Sequence, residues 1–422
     1  MTTLSPARVR LALLALALGG FGIGSTEFVA MGLLPEIARD LLPAGWAASP
    51  DDTIAQAGIM ISAYAAGVVV GAPTIAAFAA RLPRKLLLLI LASAFTLGTV
   101  ASAAAPTFEL VVLARFVAAL PHGAYFGVAA LVAASLMGPG KRGQGVALVL
   151  TGLTVANVIG VPLITLLGQN AGWRAAYLVV AAIFALTVVA IAIVVPAQPG
   201  DPHATVAREL GALRRGRVWV ALLCGSLGFG GFFAVYSYVS PLATEVTALP
   251  AVFVPLALAT LGVGMTIGNH LGGRAADHGV MRAVFGSFAA FAVALVVLAL
   301  GGGTPIGLFV GLFLVGGAAS ALSPAIQTRL MDVAGDSQTL AAAINHSALN
   351  LGNSLGAWIG GVVIAAGFGY IAPTWVGLLL CVPGVLFALL GVALDVRARR
   401  RGEPAPVHRP ADELDEAEFA QP

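Results

Sequence analysis

Runs of about 20 apolar residues recur along this chain from end to end, and each is long enough to cross ~30 Å of hydrocarbon as a helix. In lipid every backbone N–H and C=O must be satisfied within the protein, so only helices and closed barrels can span. Barrel strands would alternate apolar and polar residues in ~10-residue pieces, and the chain shows no such alternation. Charged residues make up 10% of the 422 positions and hydrophobic ones 59%, whereas a soluble domain carries about 25% charged residues. The chain is therefore predicted to be an all-α polytopic membrane protein. Twelve spans fall at about 11–35, 54–80, 86–105, 108–137, 145–168, 173–195, 218–244, 252–275, 283–301, 305–331, 338–366 and 373–394. The first run follows Arg8 and Arg10 as a leader peptide would. No small-x-small cleavage site follows it, however, and it continues past Glu27 to Leu34, so it is expected to remain as span 1.

Basic residues set the expected orientation. With the N-terminus inside, 19 of the 22 Lys and Arg residues fall on the inner side, only Arg39 and Arg174 fall outside, and Arg115 lies within a span. That bias places both termini in the cytoplasm. The longest internal connection, 196–217, divides the spans six and six. The expected units are an N-terminal bundle (1–195), a cytoplasmic linker (196–217), a C-terminal bundle (218–395) and a disordered cytoplasmic tail (396–422) with an acidic cluster. The net charge of +3 is spread over short loops and gives no nucleic-acid footprint. Cys224 and Cys381 sit inside apolar runs and read as small core residues, not as a disulfide or metal framework. Arginine far outnumbers lysine, 20 to 2, which suggests a GC-rich bacterial genome and hence an inner, or plasma, membrane.

The halves repeat. Gly67 and Gly71 in span 2 recur as Gly264 and Gly268 in span 8, each pair before a basic loop. Gly152, Ala156, Asn157 and Gly160 in span 5 recur as Ala348, Gly352, Asn353 and Gly356 in span 11. Such small-residue stripes let helix backbones approach closely in lipid. A six-plus-six parallel repeat is the pattern of a secondary transporter whose halves rock about a central site.

Four kinds of stretch carry a family resemblance: TEFVAMGLLPEIARDL (26–41), the paired loops GAPTIAAFAARLPRK (71–85) and GNHLGGRAADHGVMR (268–282), ARFVAALPHGAYFG (114–127) and GLTVANVIGVP (152–162). Over residues 10–394 the chain resembles the major facilitator superfamily, and within it the twelve-span drug:proton antiporters of the arabinose-efflux-like and chloramphenicol-efflux-like kind. The resemblance implies two pseudo-symmetric six-helix bundles around a central cavity. It implies export by alternating access, with loop contacts that latch the cytoplasmic side. Gly71, Arg81, Arg84, Gly268, Arg274 and Asp277 belong to those loop signatures, and Gly160 and Pro162 to the bend of the fifth-helix signature. The first loop copy has Ala80 where the second keeps Asp277, and Ile164 stands where a glycine is common.

One residue raises the chemical question. Glu27 lies in an apolar span, roughly 13 Å from its outer end, and Arg115 lies roughly 11 Å from the outer end of span 4. Intramembrane ionisable groups pair or face a cavity. A carboxyl whose surroundings alternate between wet and dry can take up and release a proton, while the arginine stays charged. Glu27 and Arg115 are thus candidates for proton coupling, or else a static pair holding spans 1 and 4 together. Met31, His122, Asn157, Phe232 and Tyr236 are candidate cavity residues. His122 would be a relay or a histidine satisfied by the backbone. Asn157 would be a cavity group or a helix–helix bond. The span-7 aromatics would be a ligand wall or ordinary packing. Because the cavity reads as apolar and sparse, the expected cargo is lipophilic or amphiphilic and drug-like. Sugar or nucleoside efflux, facilitated diffusion and a non-transporting sensor are the alternatives. No HExxH or phosphate loop occurs, so neither an enzyme nor a cofactor is expected. The expected partners are a small-molecule substrate, protons and the lipid bilayer, with the chain acting as a monomer.

Overall fold

The computed structural model describes residues 5–79, 82–137, 142–199, 215–334 and 338–401. Among these residues there is no strand, and twelve helical segments are long and apolar enough to cross a membrane. Spans 1 to 12 are Pro6–Gly32, Pro50–Ile75, Arg84–Ala104, Phe108–Met137, Leu148–Ala171, Trp173–Val194, Gly216–Tyr236, Ala251–Ala276, Val280–Gly301, Pro305–Leu330, Asn345–Phe368 and Ala372–Arg400. Large apolar side chains such as Leu97, Leu300 and Ile306 are exposed on the outside of the bundle, as lipid-facing positions require. The last helix continues to Arg400, past the expected end near 394. Most of the expected linker and tail lies outside the described residues.

The glycine stripes bring backbones together, and they do so in the same pairs in both halves. A Cβ on Gly67 or Gly71 would lie 2.3 or 2.0 Å from a span-4 carbonyl oxygen, of Phe116 or Leu120. A Cβ on Gly264 or Gly268 would lie 2.2 or 1.9 Å from a span-10 carbonyl oxygen, of Phe313 or Gly317. Span 5 meets span 1 through Gly152 against the Ala17 carbonyl. Span 11 meets span 7 through Gly352 and Gly356 against the Ser226 and Gly230 carbonyls. Spans 2–4 and 8–10, and spans 1–5 and 7–11, are therefore equivalent pairs. The halves form two pseudo-symmetric six-helix bundles.

Prolines interrupt two of the spans near the centre and follow the end of a third. Pro121 has no N–H for the Val117 carbonyl, which Leu120 N–H takes instead at 3.2 Å. The helix stops at Ala119 and restarts at His122. Pro162 likewise frees the Val158 carbonyl, and the ladder slips to a π turn over Ala156–Gly160, with Val161 N–H bonded to Ala156 O. Just past span 7, Pro241 follows a break at Ser237 and Tyr238, so the expected continuous helix to 244 is divided. These breaks set the directions of His122, Asn157 and Tyr238.

The end of the bundle away from the termini carries a clasp. Asp40 accepts hydrogen bonds from Trp173 Nε1 at 2.9 Å and from Arg174. Arg174 also donates to Ala105 O and lies over the Trp173 ring. Burial pushes the Asp40 carboxyl up. The two hydrogen bonds and the Arg174 charge outweigh that push and hold it below the ordinary 3.8. With the native value depressed, the clasp stabilises fully above 3.8 and is lost as pH falls through the lower native value. Both side chains are near half exposed, at 39% and 47%, so screening keeps the contribution below about 1 kcal/mol. Thermal unfolding of Asp40→Asn in detergent should show a slightly lower midpoint at pH 7 that converges with wild type in acid.

Candidate functional site

Between the halves lies a cavity of about 310 Å³ lined from seven spans: 1, 4, 5, 7, 8, 10 and 11. Phe28, Phe229, Phe232 and Phe233 form its apolar roof, with Phe28 stacked on Phe233 and Tyr236 at ring separations of 6.1 and 5.2 Å. The remaining wall mixes apolar side chains such as Leu153, Met265 and Leu349 with polar groups. Asn157, Asn269, Gln327, Asn345 and Asn350 contribute amides, Ser320 and Ser323 hydroxyls, and His122 and His346 imidazoles. The cavity extends toward the termini-bearing end, where Asn269 is exposed.

The opposite end is shut by contacts between the halves. Ser62 and Ser354 each donate to the other's backbone carbonyl at 3.1 Å. Tyr370 donates to Asp51 at 2.7 Å, and Gln169 to Ala251 O at 3.0 Å. Tyr238 of span 7 lies against Gly58, where a Cβ would meet its hydroxyl at 2.3 Å.

Glu27 sits where roof and wall meet. It is buried, lines the cavity, and is the one acidic side chain among the described lining residues. Its Oε1 accepts a 3.4 Å hydrogen bond from Asn353 Nδ2, across the boundary between halves. Arg115 is buried beside it but bonds elsewhere. Nη1 donates to Thr26 O at 2.7 Å and to Thr26 Oγ1 at 3.1 Å, while the guanidinium carbon lies 4.2 Å from the Tyr64 ring centroid. The direct Glu27–Arg115 pair weighed above is absent from the structure. Arginine's planar cation is held by Thr26 and an aromatic face, with Nε and Nη2 buried unbonded, so its charge acts on the carboxyl through space and not through a contact ion pair.

The sequence profile described as Major Facilitator Superfamily matches residues 16–268 and 251–416. The chain belongs to the Major Facilitator Superfamily. It is 41% identical over 86% of its length, and 91% of the relative's, to the inner membrane transport protein YdhP of Escherichia coli K12. It is 31% identical, over 90% of its length and 94% of the other's, to a chloramphenicol resistance protein of Streptomyces lividans. Among solved structures it resembles a D-xylose-proton symporter, with a TM-score of 0.70, 16% identity, and 89% and 97% of the two chains covered. That likeness shows the fold alone. As a member of this superfamily the chain is a multi-pass membrane transporter, not an enzyme.

Within this major facilitator fold the candidate residues separate. His122, Asn157 and Phe232 line the cavity with Glu27. Tyr236 stands behind the wall, fully buried, and donates its hydroxyl to Asn157 Oδ1 at 3.0 Å. Met31 is also fully buried and is not among the residues lining the cavity. His122 Nδ1 is 3.3 Å from the Tyr64 hydroxyl. Gly71 and Gly268 are close-packing sites, and Gly160 lies in the π turn against the Phe21 ring, followed by Pro162. Arg84 bonds Gln198 O through its backbone N–H, and the Arg274 carbonyl accepts from His278. Arg81 and the side chain of Asp277 lie outside what is described.

The cavity lining is mostly apolar, but the expectation that it is sparse in polar groups is not met: spans 8, 10 and 11 add amides and hydroxyls to those of span 5. His346, stacked on Phe126 at 5.4 Å, is a further lining residue that the sequence reading missed. The run NHSALNLGN (345–353) held the signal, with five polar side chains able to hydrogen-bond on one apolar span.

Proposed function

We propose that this transporter exports small amphiphilic compounds in exchange for protons, with Glu27 as the proton carrier. The observation that carries the reading is the position of Glu27, a lone carboxyl among the described lining residues, between the halves and in no contact ion pair. With both termini in the cytoplasm of a bacterial inner membrane, the cavity faces inward. A substrate entering from there seats its apolar part under the phenylalanine roof and its polar part against the amides. Proton and substrate then compete for one small space, and rocking of the halves exposes that space to the other side. Arg115 anchors Thr26 and keeps a fixed positive charge near the carboxyl. The relative named as a chloramphenicol resistance protein supports an aromatic, hydroxylated cargo. The amide-rich wall also favours a second reading, sugar export, because sugars need many hydrogen-bonding side chains.

The test is ligand-driven proton movement in proteoliposomes, followed with a trapped pH dye under an imposed gradient. Chloramphenicol is expected to dissipate the gradient. Dissipation by L-arabinose alone would select the sugar reading. Passage of labelled ligand without proton movement would make the protein a facilitator.

A further inference from the structure

We propose that Asn353 is the positioning residue that couples Glu27 to the closed end of the transporter, holding that end shut while Glu27 is ionised and no substrate is bound. This rests on Glu27 as the proton carrier. Asn353 is 1% exposed, sits on span 11, and reaches across to span 1. Its Nδ2 donates to Glu27 Oε1, and its Oδ1 is buried without a hydrogen-bond partner. A primary amide is suited to this place because it carries a donor and an acceptor on one rotatable group. Toward a carboxylate it offers N–H. Toward a neutral carboxyl it can turn and accept the O–H. The two contacts are unequal, since a hydrogen bond to an ionised group is roughly twice as strong as one between neutral groups. The bridge between the halves is therefore tighter when Glu27 has lost its proton.

The repeat supplies an internal control. Asn157 is the span-5 counterpart of Asn353 and also bonds across the boundary, accepting from the Tyr236 hydroxyl of span 7. Both halves thus send an asparagine to the first helix of the other half. One meets a tyrosine that stays neutral at physiological pH, and the other meets the carboxyl. The other titratable or charged groups that act on Glu27 are Arg115 of span 4, Tyr64 of span 2 and Tyr236 of span 7, with His122 and His346 on the same cavity. Of these, Tyr236 alone is on the opposite half among the groups acting directly, and its hydroxyl is committed to Asn157. Asn353 is the residue whose contact with Glu27 would break when the closed end opens.

The consequence is tight exchange. An antiporter leaks if the empty, deprotonated carrier can reorient, because a proton carried inward is then not matched by a substrate carried outward. A bridge that strengthens on deprotonation blocks that step until substrate entering the cavity competes for Glu27.

The experiment needs no substrate. Purified transporter in liposomes is given an inward pH gradient, and proton leak is followed with a trapped dye for wild type, Asn353→Leu, Asn353→Ala, and Asn353→Leu combined with Glu27→Gln. Both Asn353 variants should leak about tenfold faster than wild type or more, the worth of one charge-assisted bond. Adding Glu27→Gln should abolish the leak. Asn353 variants as tight as wild type would overturn the inference and leave the antiport reading to its own test. A leak that persists with Glu27→Gln would show a proton route that avoids Glu27, overturning both.

Discussion

Glu27→Gln should abolish ligand-driven proton movement in proteoliposomes, at least about a hundredfold, while the protein still folds and binds ligand. The substitution is nearly isosteric and removes the titration itself. The partner contact survives it, because the Gln oxygen can still accept from Asn353 Nδ2, now as a neutral bond. Arg115 is not orphaned either, since its bonds run to Thr26 and its face lies on Tyr64. Truncating one member of a buried ion pair strands the other charge, at a cost of about 3–5 kcal/mol. Because Arg115 keeps its bonds to Thr26 and its place on Tyr64, the cost here should fall below that figure, and lost transport can be told from lost fold. Binding of chloramphenicol by the purified variant, alongside its elution as a single species, checks both points. Wild-type proton movement in Glu27→Gln would move the proton path to His122 and His346, the other titratable groups on the cavity wall, and leave Glu27 a helix-packing residue.

The fold was legible because its determinants are local. Twelve apolar runs and recurring glycines specify spans and their close partners, and Gly71 and Gly268 do in the structure what small residues do at helix crossings in lipid. Glu27 was legible as well, because a lone acid in an apolar run is expensive and must be placed for a reason. Its partner was not. Depth along two spans put Arg115 level with Glu27, but depth carries no information about azimuth. The guanidinium turns to a carbonyl and a ring instead. The polar wall was missed for a related reason: Asn345, Asn350 and His346 belong to the second half, 300 residues and more from Glu27 in the chain. Only the packing of the two bundles brings them to one cavity. Asn353 stood out in the sequence only as part of a small-residue stripe. Its contact with Glu27 depends on the angle at which the halves close.

That closure can be locked. Oxidising the double variant Ser62→Cys, Ser354→Cys should stop transport, to below roughly 5% of the reduced protein, and a thiol reductant should restore it. Each serine hydroxyl reaches the other residue's carbonyl at 3.1 Å, so the two backbones run side by side at this point. A disulfide needs Cα atoms about 4.4–6.8 Å apart, a separation that reciprocal side-chain contacts of this length permit. The native thiols do not interfere, as Cys224 and Cys381 are buried within spans 7 and 12. Alternating access requires the halves to part where spans 2 and 11 touch, and a covalent bond there forbids it without touching the cavity. The locked protein should therefore still bind chloramphenicol from the termini side while failing to move it or any proton. Transport that survives complete cross-linking, measured by loss of free thiol, would mean that the halves do not separate at Ser62 and Ser354. The cycle would then need a different moving element. Loss of binding together with transport would instead place the effect on the cavity, and the closed end would no longer be the gate.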